Sequence, residues 1–184
     1  MAKNTEHQSG FTMVELTMVI GMTLILSTLA TFGLQSFLRA YRAGADARAV
    51  ASQLSLARMR ASSAFTRAQL FVNADARTYQ VRLDSAKNGT FVTEGGTYSL
   101  SPGVNLGFGS ISTSPLPSEL TTMSQSVDAA SPVFNSRGVP GNGNLTPYAI
   151  YLTNSDNDLF YAVTVSQSGR VNVWQYISGA WASR

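Results

Sequence analysis

Gly10-Phe11-Thr12-Met13-Val14-Glu15 leads directly into Leu16–Leu38, LTMVIGMTLILSTLATFGLQSFL, a run of 23 residues without a charge. A helix of that length reaches across a bilayer core of roughly 30 Å. Thr17, Thr23, Ser27, Thr28 and Thr31 dilute the run, but their hydroxyls can bond back to helical carbonyls. Glu15 is the anomaly. A carboxylate inside an apolar segment costs about 2.5–3.5 kcal/mol on insertion scales and marks a functional residue by default. Its charge calls for a cationic partner.

Composition narrows the alternatives. The 184 residues are 44% hydrophobic and 12% charged, with 13 Lys+Arg against 10 Asp+Glu. That charged fraction is about half the usual quarter. There is no cysteine, and the one histidine is His7. Disulfides, thiolate nucleophiles and cysteine metal sites are excluded. Loss of the first ten residues would also remove histidine triads and His-ligated metals. No carboxylate pair forms an acid/base dyad. Gly103, Gly107 and Gly109 lack the Lys-Ser/Thr and the strand-to-helix setting of a phosphate loop. The chain reads as a non-enzyme without catalytic residues, cofactor or metal site.

The motif Gly10-Phe11-Thr12-Met13-Val14-Glu15, with its apolar run, resembles the type IV prepilin processing site. The resemblance implies cleavage by a prepilin peptidase between Gly10 and Phe11, N-methylation of Phe11, and an assembly role for Glu15. The Phe11 ammonium of a neighbouring subunit would be the cation that pairs with Glu15, each offsetting the cost of the other in lipid. A secretory signal cut near Ala43-Gly44-Ala45 leaves Glu15 unexplained. Arg39, Arg42 and Arg48 follow the run, so the positive-inside rule alone favours a cytoplasmic C-terminus. The resemblance implies the opposite orientation: a single-pass protein of the bacterial inner membrane, with its head in the periplasm and its filament there or at the cell surface.

Beyond the run, Val50, Leu54, Ala57 and Ala61 recur at helical spacing. Ala64 and Phe65 extend the stripe, and no proline precedes Pro102. One helix is expected over about 12–66, its second half packed against a sheet. Relatives often carry a proline near the place held here by Phe32-Gly33; glycine supplies only softening.

After Thr66, short β-rich runs alternate with Gly, Asn, Ser and Pro clusters. Gln69–Asn73 and Thr78–Leu83 form an expected hairpin. Thr90–Thr93 and Tyr98–Leu100 are separate, weaker strands, and 101–130 reads as loop. Pro132–Asn135, Tyr148–Thr153, Leu159–Val165 and Arg170–Tyr176 follow, the last three as an antiparallel meander. The expected fold class is pilin-like α+β. Its parts are a leader (1–10), a membrane or filament-core helix (11–38), an amphipathic helix (39–66) and a β-rich head (67–184).

Ala57-Arg58, Phe134-Asn135-Ser136-Arg137-Gly138 and Gly169-Arg170, in that order, resemble the GspH/FimT group of pseudopilins and minor pilins. The resemblance implies a structural subunit of a type II secretion pseudopilus or a type IV pilus, two machines that share this design. Its implied partners are other pilins or pseudopilins, the prepilin peptidase/methylase and the inner membrane. Some relatives bind DNA during uptake, which makes Arg137 and Arg170 candidate DNA contacts and a DNA-binding minor pilin the alternative function.

Two smaller signals stay structural. Asn154-Ser155-Asp156-Asn157-Asp158 clusters oxygen ligands, but without the glycine and distal Glu of a calcium loop it reads as a polar hairpin turn. Trp174, Tyr176 and Trp181 are types that stack on bases, and read here as cover for a sheet. The stretch Arg39–Arg82 holds eight arginines and two aspartates. Such an excess suits a solvated helix face, lipid headgroups, acidic neighbours or DNA.

Overall fold

The computed structural model describes residues 10–111, 131–141 and 148–184. The leader residues 1–9 and the 112–130 part of the expected loop lie outside the described residues. Helix α1 spans Met13–Ser63, and contacts divide the chain into two units after Leu38.

In the first unit, the apolar side chains of α1 face outward. Met13 is 83% exposed, and Leu24, Ile25, Leu26 and Leu29 are each exposed by about two thirds. The helix is long and apolar enough to cross a membrane, with a window of mean hydropathy 1.8 of which nothing is buried. Its hydroxyls are satisfied internally. Thr23 donates to the Val19 carbonyl, Ser27 to Thr23, Thr28 to Leu24 and Thr31 to Ser27. The dilution seen in sequence therefore leaves no unpaired donor in these four side chains.

In the second unit, Ala43, Ala47, Val50, Leu54, Ala57 and Ala61 are at most 1% exposed and form one face of α1. Small residues dominate this face. Arg48, Ser52 and Ser63 stay exposed off it. The expected stripe is present, but Ala64 and Phe65 do not belong to it. The helix ends at Ser63 because Thr66 N–H bonds the Ala61 carbonyl and Phe65 N–H bonds the Ser62 carbonyl. That pair of bonds is a Schellman cap, which places Phe65 at the left-handed position. Phe65 has φ of 48° and is 76% exposed.

Two antiparallel sheets form the head, where the sequence reading expected one. The first has strand order β3-β2-β1-β5. β1 (Ala68–Asn73) and β2 (Thr78–Leu83) form the expected hairpin, with Ala68 opposite Leu83. β3 is one continuous strand, Val92–Ser99, not two fragments. It runs through Gly95-Gly96 as an edge, and its pairing with β2 shifts register between Gln80 and Arg82. β5 is short, Val133–Phe134, and pairs with the start of β1.

The second sheet has order β4-β6-β7-β8-β9. Its centre is the expected meander of β6 (Tyr148–Asn154), β7 (Phe160–Val165) and β8 (Val171–Ile177). Two strands were not foreseen. β4 (Val104–Leu106) lies inside the expected loop and pairs with β6, and β9 (Ala180–Ser183) pairs with β8.

The core joins the α1 stripe to Leu70, Val72 and Val81 of the first sheet and to Ile150, Leu152, Val163 and Val165 of the second. Alternation puts Ala149, Tyr151 and Ala162 on the far face of the second sheet, where Phe108, Trp174 and Trp181 pack on them. Trp174 Nε1 also donates to Thr164 Oγ1 at 2.9 Å. Both tryptophans thus cover a sheet, and β6 and β7 are buried on both faces.

Candidate functional sites at the helix start and the helix–head junction

Gly10 and Phe11 precede the helix and are exposed, Phe11 by 90%. Among the described residues, a Cβ on Gly10 would meet nothing within 4 Å. Thr12 and Glu15 begin the helix together. Glu15 Oε2 accepts from Thr12 N–H at 2.9 Å and from its hydroxyl at 3.0 Å, while Thr12 Oγ1 accepts from Glu15 N–H at 3.2 Å. This is a capping box, the reciprocal satisfaction of two orphan donors at a helix N-terminus. Its T-x-x-E spacing is legible in the sequence, where the charge of Glu15 points instead to a distant cation and gives Thr12 no role. The carboxylate already has a local partner, so a cation must add to the cap or displace it.

At the other end of α1, three segments quoted from the sequence converge. Arg58 Nη1 donates to the Gly169 carbonyl at 2.9 Å. Gly138 and Gly169 are both left-handed, with φ of 72° and 80°. A Cβ on Gly169 would stand 2.3 Å from the Gly138 carbonyl oxygen, and one on Gly138 would stand 2.9 Å from Ser62 Oγ and 3.1 Å from Arg58 Cγ. Asn135 shapes the Gly138 turn, its Oδ1 accepting from the N–H groups of Arg137 and Val139. The two glycines therefore let the β5 turn and the β7–β8 turn close on the helix. Arg137 and Arg170, the neighbours of these glycines, are exposed on the two adjoining turns.

Further ties fix the helix to the head. Asp46, 8% exposed, accepts from Ser101 N–H at 2.8 Å and from its hydroxyl at 3.0 Å. Arg39 Nη1 stands 2.8 Å from Asp156 Oδ2. The Asn154–Asp158 segment is the polar turn expected. Asn154 Oδ1 accepts from the N–H groups of Asp158 and Leu159 at 3.1 Å each. Its oxygen is committed to the backbone, and among the described residues no group of three or more His, Cys, Asp or Glu side chains could hold a metal ion.

No protein-family model matches the sequence. No curated protein matches it either. Solved structures do. The minor pseudopilin EpsH from the type 2 secretion system of Vibrio cholerae is 16% identical over 72% of this chain and 95% of that chain, with a TM-score of 0.50. A crystal structure of the same pseudopilin gives 14% identity, 77% and 99% coverage, and a TM-score of 0.51. The chain has a pseudopilin-like fold. At this identity the likeness concerns the path of the chain. It agrees with the long N-terminal helix on antiparallel sheets derived above.

Proposed function

We propose that this chain is a structural, non-enzymatic subunit, a minor pseudopilin or minor pilin, of a type II secretion pseudopilus or type IV pilus. A prepilin peptidase cuts at Gly10–Phe11 and Phe11 is methylated. Residues 11–38 then hold the protein in the bacterial inner membrane, with the head in the periplasm, until assembly places the helix in a filament. One conjunction carries this reading. A head with the pseudopilin-like fold follows an exposed Gly10–Phe11 bond, a Thr12–Glu15 cap and an uncharged run through Leu38.

Affinity isolation of the full chain from detergent-extracted membranes, with mass spectrometry of what accompanies it, tests the role. Other pilin-like subunits are expected. Recovery of the chain alone, with or without the assembly machinery, contradicts it.

A second reading, DNA uptake, has one observation in its favour. Arg137 and Arg170 lie exposed on adjoining turns at the Gly138–Gly169 contact. Phosphate contacts give affinity that falls steeply with salt. A gel shift of the detergent-solubilised protein across a salt series tests it, and loss of binding even at low ionic strength removes it.

A further inference from the structure

The connection between β2 and β3 is folded around one buried carboxylate. Asp84 follows β2, is 1% exposed, and pairs with Arg67 Nη2 at 2.6 Å. Its oxygens also face the main chain of the loop. Oδ1 accepts from Asn88 N–H at 3.0 Å, and Gly89 N–H stands 3.2 Å from Oδ1 and 3.1 Å from Oδ2. Burial raises the pKa of Asp84, but Arg67 and these N–H groups hold it below 3.8, so the group is ionised at neutral pH. Gly89 makes the approach with φ of 91°, a conformation open to glycine.

Asn88-Gly89 is also a chemically reactive pair. A glycine after asparagine leaves the following backbone nitrogen unshielded, because no Cβ stands beside it. Asn88 Oδ1 accepts from Thr90 N–H at 2.9 Å. This Asx-turn folds the side-chain carbonyl back over the intervening peptide. The Thr90 N–H also stands where negative charge develops on Oδ1 when a nucleophile adds to Cγ. Asn88, Gly89 and Thr90 are exposed, so water reaches the loop and a small leaving group can escape. One short loop thus holds a nucleophile, an acceptor for its proton and a donor for the oxyanion.

We infer that Asn88 is a self-modifying residue, deamidated through Gly89 with Asp84 as the base. The Gly89 nitrogen attacks Asn88 Cγ, and its proton passes to Asp84 and on to the departing amide nitrogen. The Cγ–N bond breaks, ammonia leaves, and a cyclic imide joins the two residues. Water then opens the imide at one of its carbonyls, leaving aspartate or isoaspartate at position 88. No oxidant, reductant or cofactor takes part. The imide nitrogen carries no hydrogen, so both contacts from Gly89 to Asp84 are lost as it forms. The product places a second carboxylate beside Asp84, and like charges at short range disfavour ionisation of both. The change runs one way and weakens the anchor of the β2–β3 loop.

Peptide mapping of the detergent-solubilised full chain reads the conversion as a gain of about 1 Da at residue 88, followed over time in neutral buffer and in urea. Asn142-Gly143, the second Asn-Gly pair of the sequence, lies outside the described residues and calibrates the unassisted chemistry in urea. In urea both pairs should react alike. In buffer Asn88 should convert about tenfold faster than in urea, less than a base tuned to neutral pH would give, because a carboxylate of low pKa takes protons weakly. Asp84→Asn should lower the rate at Asn88 in buffer to the urea rate and leave Asn142 unchanged. Near-ultraviolet circular dichroism shows whether that variant is folded, and if it is not, the wild-type ratio between buffer and urea decides alone. Conversion at Asn88 that is no faster in buffer than in urea overturns the inference. So does an unaltered rate in folded Asp84→Asn.

Discussion

Arg58 Nη1 donates to the Gly169 carbonyl at 2.9 Å across 111 residues of sequence, and Gly169 in turn abuts the Gly138 carbonyl. The contact makes three glycine substitutions unequal. Gly169→Ala drives a methyl into backbone, adding about 1–3 kcal/mol of overpacking to about 1–2 kcal/mol for the left-handed conformation. Gly138→Ala meets side chains that can move, and costs less. Gly179→Ala meets nothing within 4 Å and pays only for its backbone. Thermal unfolding should rank the losses Gly169→Ala, then Gly138→Ala, then Gly179→Ala. Equal losses would mean that backbone conformation, not the close approach, requires these glycines.

Phe65 offers the reverse effect. It occupies the left-handed cap position that glycine prefers, and its ring makes little contact with the head. Phe65→Gly should raise stability by about 1 kcal/mol. The midpoint in denaturant reads this directly, and a lowered midpoint would show that the ring packs on the head.

Asp84 sets an acid limit on the head. Burial raises its pKa, but hydrogen bonds from Arg67 and from the N–H groups of Gly89 and Asn88, with the Arg67 charge, outweigh that and hold it below 3.8. A carboxyl lowered in the folded state contributes stability above its unfolded pKa and loses it as pH falls through the folded value. Asp84→Asn should therefore destabilise the protein at neutral pH and flatten the decline in stability below about pH 4. An unchanged acid limb in the variant would place the titration elsewhere.

The α1 stripe and the β1–β2 and β6–β7–β8 pairings were legible because each depends on local periodicity and on turns between neighbours in sequence. What escaped depended on distant partners. Gly95-Gly96 read as a break between two strands, but they sit between the paired residues Thr93 and Thr97, where the register against β2 shifts, and the strand continues through them. β4 has three residues between glycine-bearing turns and exists by pairing with β6 some 48 residues later. β9, Ala180–Ser183, is too short to show alternation. β5 joins the first sheet by pairing with β1 across the intervening chain. At the site, Gly10, Phe11 and Glu15 could be named from the motif, and Arg137 and Arg170 from the Phe-x-x-x-Gly and Gly-Arg segments. That Arg58 joins those segments required the tertiary structure.

Glu15 supplies both a cap and a charge. Glutamine can serve at the third position of a capping box, but it carries no charge for a neighbouring ammonium. Glu15→Gln should therefore lose filament incorporation as fully as Glu15→Ala, with processing at Gly10–Phe11 largely retained in both. Immunodetection in sheared or membrane-extracted filaments measures this. Recovery of incorporation in Glu15→Gln would make the residue a helix cap rather than half of an intersubunit pair.

The most direct test of the whole account is the intact mass and N-terminal sequence of the membrane-extracted protein, with and without the prepilin peptidase. The expected chain begins at N-methyl-Phe11 only when the peptidase is present. A chain that begins near Ala45, or that retains Met1 in the presence of the active peptidase, contradicts it.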